Sequence, residues 1–333
     1  MSFARNTCDT LSAFASTVAT KSIKALAVIL SVCSMPPAIT HTRLQRVLGT
    51  NNTTMNVQDM VGACSRGKLN FVTEVVPVTV RVPCNSYNER FNQLECKTDD
   101  WANYTDTYLQ DTLKYNLDDF YTRIYILPKG DLCGFGGLGL LGPCDKTKPC
   151  RMWISGNIPD KVTVYFHELG HNLGLHHASH MHDQYGDLTD AMGYCCNVRC
   201  FSAPNTFKLE WDVPTHLITT PIMQHHNIRL RPYEYVMIED KARMERTFIQ
   251  YRIANGGEYD KDIDSTAINI YVVPTHSPYG YSNLAAIISS RGQTWQSVHS
   301  ALVTLQESQK DYAQIRIEPN LMSKMMESSR IPV

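Results

Sequence analysis

The chain has 333 residues, enough to bury a large core and to form two domains. Its 43% hydrophobic and 19% charged residues are those of a globular protein, and Lys+Arg 31 against Asp+Glu 32 leaves a formal charge of -1. With that balance and no basic cluster, nucleic acid and an anionic membrane surface are excluded as expected partners.

From the N-terminus, residues 1–22 are rich in Ser, Thr and Ala and read as a poorly ordered segment. The run Ala25 to Cys33 is too short to cross a membrane as a helix, and no transmembrane segment is predicted elsewhere. As a signal peptide it has an unusually long preceding region, and Pro36-Pro37 spoils a small-residue cleavage site, so no clear leader is present. Its Val, Ile and Leu predict instead a buried first strand of a mixed sheet, with leader and pro-segment missing or rearranged.

His41 to Leu48 and Met55 to Cys64 read as short helices, and Ser65-Arg66-Gly67-Lys68 as a turn. Val72 to Val82 follows as a second strand, with Val76, Val78, Val80 and Val82 on one face and Pro77 marking an edge or a bulge. Asp99 to Leu117 reads as a helix capped by Thr98 or Asp99. Its Trp101, Tyr104, Tyr108 and Tyr115 form one stripe and Leu109, Leu113 and Leu117 another, as core packing requires. Phe120 to Leu127 is a third strand. The glycine-rich run Cys133 to Gly142 lacks the Lys-Ser/Thr of a phosphate loop. Arg151 to Ser155 is a last strand before a helix that begins near Pro159-Asp160 and turns Val162, Phe166, Leu169 and Leu173 to the core.

That helix carries His167-Glu168-Leu169-Gly170-His171-Asn172-Leu173-Gly174-Leu175-His176-His177, which fits H-E-x-x-H-x-x-G-x-x-H at every specified position. Residues four apart share a helix face, so His167 and His171 can grip one metal ion. Glu168 sits beside that face, where a general base for an activated water is needed. Gly174 can end the helix in a left-handed conformation and return the chain so that His177 becomes the third ligand. Three protein ligands leave a fourth position open, the mark of one catalytic Zn2+. His176, His180 and His182 are not at ligand positions and read as solvated or hydrogen-bonded.

Downstream, Asp190-Ala191-Met192-Gly193-Tyr194 is similar to the Met-turn of metzincin proteases, with Met192 beneath the histidines. More narrowly, the stretch from Ile23 to Trp211 resembles the catalytic domain of gametolysin, the algal cell-wall-degrading metzincin. The segments that carry the likeness are Ala63-Cys64-Ser65-Arg66-Gly67-Lys68-Leu69, the histidine motif through Gly174, and Asp190 through Cys196. The resemblance implies an α+β fold, with a metzincin-type catalytic domain built on a mixed twisted sheet, an active-site helix and a Met-turn. It also implies a secreted zinc endopeptidase, made with a pro-segment and acting on proline- and hydroxyproline-rich glycoproteins of the extracellular matrix or cell wall. The likeness makes Gly136, Gly137, Leu138, Gly139 and Leu140 an edge strand that pairs with extended substrate; the other reading is a surface loop pinned by cysteines. Tyr194 either approaches the metal and supports the oxyanion, as the Met-x-Tyr tyrosine does in some metzincins, or packs beneath the site.

From about residue 216 the chain turns to short strand-like runs: Tyr235–Ile238, Thr247–Ile253, Ile268–Val273, Ala301–Leu305 and Ala313–Ile317. They predict a smaller all-β, sandwich-like module over 216–333 after a catalytic domain over 23–215. The module either binds matrix glycoprotein or carbohydrate, or packs on the catalytic domain. Of the 11 cysteines, six lie between 133 and 200, and no C-x-x-C pair is present, which points to disulfides and an oxidising, extracellular compartment. The odd total leaves at least one thiol over. Cys8 is either such a spare or disulfide-bonded thiol, or a thiolate that caps the metal as a latency switch. Sequons at Asn51, Asn52 and Asn103 agree with secretion. The rival function is a non-catalytic matrix-binding protein that retains a zinc site. Nothing in the sequence points to an oligomeric state.

Overall fold

The structure, a computed structural model, describes residues 20–50, 55–84, 95–131, 133–144, 149–276, 281–297 and 301–320. Cys8 and the sequons at Asn51 and Asn52 lie outside these residues.

Strand β1 (Lys21–Val32) forms over the predicted apolar run but starts earlier, at Lys21, so that Lys21 and Ser22 pair with Leu69 and Asn70 rather than ending a poorly ordered segment; it lies at the middle of a six-stranded sheet. Its neighbours are β2 (Leu69–Val75) and then β3 (Val80–Val82) on one side and β4 (Thr122–Ile126) on the other, all parallel to it. Next to β4 comes parallel β6 (Cys150–Ile154), and antiparallel β5 (Gly137–Gly139) closes that edge. The sequence of β1 shows no polar alternation because both faces are covered. Ala25, Ala27 and Ile29 enter a core shared with helices α1 (His41–Leu48), α2 (Val57–Cys64) and α4 (Val162–Asn172). Leu26, Val28 and Leu30 enter a second core with Trp101, Ala102 and Leu109 of α3 (Thr98–Asp111). The aromatic stripe of α3 is thus packing, and its buried Asp106 accepts from Arg123, Arg151 and Tyr125 of the sheet.

Three local expectations need correction. The second strand is two strands: it starts earlier, at Leu69, and breaks around Pro77, which cannot donate to the ladder, leaving Val78 38% exposed rather than on a shared buried face. α3 stops at Asp111; Lys114 takes a left-handed φ of 59°, and Leu117 opens a short 3-10 turn instead. Its N-cap is Lys97, without a side-chain cap bond, rather than Thr98 or Asp99.

After α5 (Ala203–Lys208) the chain is strands. β8 (His216–Thr219), β10 (Tyr235–Asp240), β11 (Glu245–Arg252), β12 (Ala267–Pro274) and β13 (Asn283–Ile288) form one sheet, in the order β13-β12-β11-β10-β8. β9 (His226–Leu230), β14 (Thr294–Gln296), β15 (Ala301–Gln309) and β16 (Tyr312–Pro319) form another, in the order β14-β15-β16-β9. The two share a core that includes Ile238, Ile249, Ile268, Ile270, Val303 and Ile315. The first of these sheets gains an outermost strand from upstream: β7 (Ser179–His180) runs parallel to β13.

Among the described residues five disulfides form: Cys33–Cys84, Cys64–Cys200, Cys96–Cys133, Cys144–Cys150 and Cys195–Cys196. Such usage belongs to an oxidising, extracellular compartment. No helix among the described residues is long and apolar enough to cross a membrane.

Candidate active site

α4 is held in place by its apolar face and by its last residue. Phe166 and Leu169 are buried, with Phe166 stacked on Phe201 at 4.4 Å between ring centroids. Asn172 is fully buried; its Oδ1 accepts from the Thr122 hydroxyl at 2.6 Å, and its Nδ2 donates to the carbonyls of Leu140 and Arg151 at 2.8 and 3.1 Å. One side chain therefore ties the end of the helix to β4, β6 and the residue after β5. Gly174 then takes the left-handed φ of 95° that turns the chain back, as the motif predicts.

This geometry brings the three predicted histidines together. One ring nitrogen from each of His167, His171 and His177 lies within 4.8 Å of the others. The Nδ1 of His167 faces the Ala191 carbonyl at 2.8 Å and that of His171 faces the Leu175 carbonyl at 2.8 Å, which makes each Nδ1 a donor and leaves its Nε2 lone pair for a ligand. His171 Nε2 and His177 Nε2 stand 3.1 Å apart, a crowding of nitrogen atoms that a shared cation relieves. Burial and the neighbouring imidazoles push His167 down to about 3 and His177 to about 4, and burial lowers His171, so all three are neutral donors near pH 7. The donor set fits a metal ion.

Glu168 follows His167 and is 5% exposed. Burial pushes its carboxyl up to about 8, against the opposing effect of the Gly139 N–H beside it. Within the glycine-rich run, Gly137–Gly139 form the short edge strand β5, and the flanking loop is tied down by Cys96–Cys133 and Cys144–Cys150. Gly136 O and Leu140 N bond to β6, so the antiparallel pattern turns the backbone groups of Gly137 and Gly139 to the outer edge. Glycine is required at both positions: a Cβ on Gly137 would collide with the Glu168 carboxyl, and one on Gly139 would come within 2.7 Å of the Glu168 carbonyl. The edge strand lies against the carboxyl because it has no side chains there. Leu138, between them, is exposed.

Met192 is fully buried under α4, where Gly170 leaves room for its sulfur. Its turn is shaped by buried Asp190, which accepts from Met192 N at 2.7 Å, Ser202 N at 2.8 Å and Asn205 Nδ2 at 2.8 Å. Tyr194 is placed differently from either expectation: it is 69% exposed, and its backbone N–H donates to the Tyr185 carbonyl at 2.8 Å. The tyrosine beside the histidines is Tyr185, with its ring centroid 3.9 Å from that of His177 and 6.5 Å from that of His167. Its neighbour Gln184 bonds to the His177 ring. Tyr185, Gln184 and Asn172 escaped the sequence reading. The one local signal for the first two was Asp183-Gln184-Tyr185-Gly186, an Asp-to-Gly turn.

The strands after residue 230 hold the segment that carries His177. Ser179 N donates to Ser282 O at 2.8 Å, and His180 Nδ1 lies 2.6 Å from Leu284 O. Thr189 Oγ1 meets the Tyr271 hydroxyl at 3.0 Å, while Asp262 and Asp260 accept from the N–H groups of Val198 and Cys200 at 2.7 and 2.9 Å. His176 rests on Tyr281 at 4.8 Å between centroids. These strands pack on the upstream fold through such bonds.

Compared with protein families, residues 22–230 match the model described as gametolysin peptidase M11. A search of curated proteins finds no match. The match spans well over half of the chain and covers the whole histidine constellation, so the chain belongs to the gametolysin M11 family of metallopeptidases.

Proposed function

We propose that the chain is a secreted zinc endopeptidase of metzincin type that cleaves proline- and hydroxyproline-rich glycoproteins of the extracellular matrix or cell wall. Its catalytic domain would span 23–215 and its all-β module 216–333. The observation that carries the reading is the convergence of three neutral imidazoles, one buried carboxyl and an edge strand that presents only glycines to that carboxyl. His167, His171 and His177 would hold the ion. A Zn2+ there would polarise the scissile carbonyl and acidify water to a pKa of about 7.

The other steps belong to the chain. The Nδ1 bonds to Ala191 and Leu175 fix the imidazoles in the tautomer a ligand needs. An extended peptide adds to the outer edge of β5 through the backbone groups of Gly137 and Gly139, which sets its scissile bond beside Glu168. Glu168 takes a proton from the attacking water and returns it to the leaving amine. Met192 supports the helix from below.

The test is digestion of a proline-rich glycoprotein with and without a zinc chelator, beside Glu168→Gln. Cleavage that is lost on chelation, restored by zinc and absent in the variant supports the assignment. A folded, zinc-loaded chain that binds the glycoprotein without cutting it would return the protein to the matrix-binding reading.

A further inference from the structure

We propose that Tyr185 is a catalytic residue of this reaction, its phenol donating a hydrogen bond to the scissile carbonyl oxygen as that oxygen becomes an oxyanion. The inference rests on the peptidase reading above and adds a residue to it.

The backbone places the ring with little freedom. His180 and Asp183 exchange backbone bonds at 3.0 and 3.1 Å, and Gly186 N donates to Asp183 O at 3.1 Å. The Asp183 carboxylate accepts from Tyr185 N at 2.9 Å, and the Tyr185 carbonyl accepts from Tyr194 N at 2.8 Å. A Cβ at Gly186 would lie 2.9 Å from the His180 carbonyl, so the turn closes on a glycine. His180 is in turn fixed to Leu284. The ring is pressed against His177 on one face of the constellation and is half-buried, at the mouth rather than in the core.

A phenolic hydroxyl is protonated near neutral pH and can donate a hydrogen bond. The packing of Tyr185 on His177 accounts for the ring but gives no role to its hydroxyl.

In the step proposed, water oxygen bonds to the carbonyl carbon, the C=O π pair moves onto oxygen, and a water proton moves to Glu168. Collapse restores the C=O bond and breaks the C–N bond, and the amine takes the proton from Glu168. Tyr185 keeps its own proton throughout and donates most strongly when the oxygen carries most charge.

The test compares the wild type with Tyr185→Phe, Tyr194→Phe and Glu168→Gln, each as the full zinc-loaded chain. Phe keeps the ring on His177 and removes only the hydroxyl. For Tyr185→Phe we expect kcat to fall by about 10²- to 10³-fold, with KM changed by less than about threefold and zinc content unaltered. Affinity for a phosphinic peptide, a tetrahedral mimic, should fall in step with kcat/KM, while that for an uncleaved product peptide should not. Unchanged kcat, lost zinc, or equal weakening of mimic and product would each overturn the assignment, the last two leaving Tyr185 a purely structural neighbour. If Tyr194→Phe carries the loss instead, the role passes to Tyr194 and the proposal falls. A wild type that cuts no peptide defeats the peptidase reading itself, and this proposal with it. A wild type that cuts as fast as Tyr185→Phe defeats the proposal alone.

Discussion

His167, Glu168 and His171 stand on one helix, whereas His177, Tyr185 and Met192 stand on the irregular segment that follows it. The helical half is held by its own fold: α4 packs into the core of the first sheet and Asn172 locks its end to that sheet. The returning half has little regular structure of its own beyond the two-residue β7 and takes its shape from elsewhere. Its anchors are the disulfide to Cys64 and a series of bonds from Ser282, Leu284, Tyr271, Asp260 and Asp262. Those five residues lie beyond the end of the family match at residue 230. Residues that contribute none of the three imidazoles thus bond to the segment that carries one of them.

The largest effect expected separates chemistry from either half's architecture. Glu168→Gln preserves shape and removes the proton acceptor, so turnover should fall by at least about 10²- to 10⁴-fold while zinc titrations match the wild type. If the variant also loses zinc, the helical half is less self-sufficient than its packing suggests.

Next in size is a break confined to the helical half. Asn172→Ala removes three hydrogen bonds and takes these partners from the Leu140 carbonyl and the Thr122 hydroxyl, while the Arg151 carbonyl keeps the Leu140 N–H, so thermal or urea unfolding should show a loss of about 3 kcal/mol. The zinc Kd of the folded variant should barely move, because two ligands of α4 stay on one rigid helix face. A large rise in Kd without loss of stability would mean that the helix end itself tunes the site.

The contrast between the halves explains how much could be read in advance. His167, Glu168, His171 and the turn at Gly174 follow from fixed spacing on a helix, so the sequence shows them directly. β1 was legible because it is apolar from Ala25 to Leu30, and α1 spans the residues that read as a short helix, with Thr40 as its cap and Gly49 at its end. Tyr185 was not legible, since its place depends on a turn closed by Asp183 and on β7 pairing with β13, a contact across about a hundred residues that local pattern does not encode. Tyr194 misled for the converse reason: it has the right spacing from Met192, but the turn directs it to solvent. In the later strands, β10, β11, β12, β15 and β16 show as apolar runs, while β8 and β9 carry polar residues such as His216, Thr219, His226 and Arg229 and pass for loop. The split of β2 from β3 turns on Pro77, which the sequence marks as an edge position or a bulge within one strand.

On the returning half, the expected order reverses: metal affinity should suffer more than stability. Asp262→Ala deprives the Val198 N–H of its acceptor, at a cost of about 1–3 kcal/mol, some of which should appear as weaker zinc binding.

Tyr271→Phe is the smallest and most discriminating change. The hydroxyl it removes meets Thr189 Oγ1 at 3.0 Å and accepts from Asn269 Nδ2 at 3.2 Å, inside a fully buried setting. Thr189 retains its bond to Asp187, so the variant loosens the link between the strands and the loop without unfolding the loop's own turn. Of the two bonds lost, the one to Thr189 should be worth about 1 kcal/mol. If the later strands hold His177 in place, that energy reappears in the zinc Kd as a rise of about fivefold, read by competition with a chromophoric chelator. If it reappears only as a lower Tm with the zinc Kd unchanged, the loop keeps its shape without this tether. The site would then depend on α4 and the Cys64–Cys200 disulfide more than on the strands beyond residue 230.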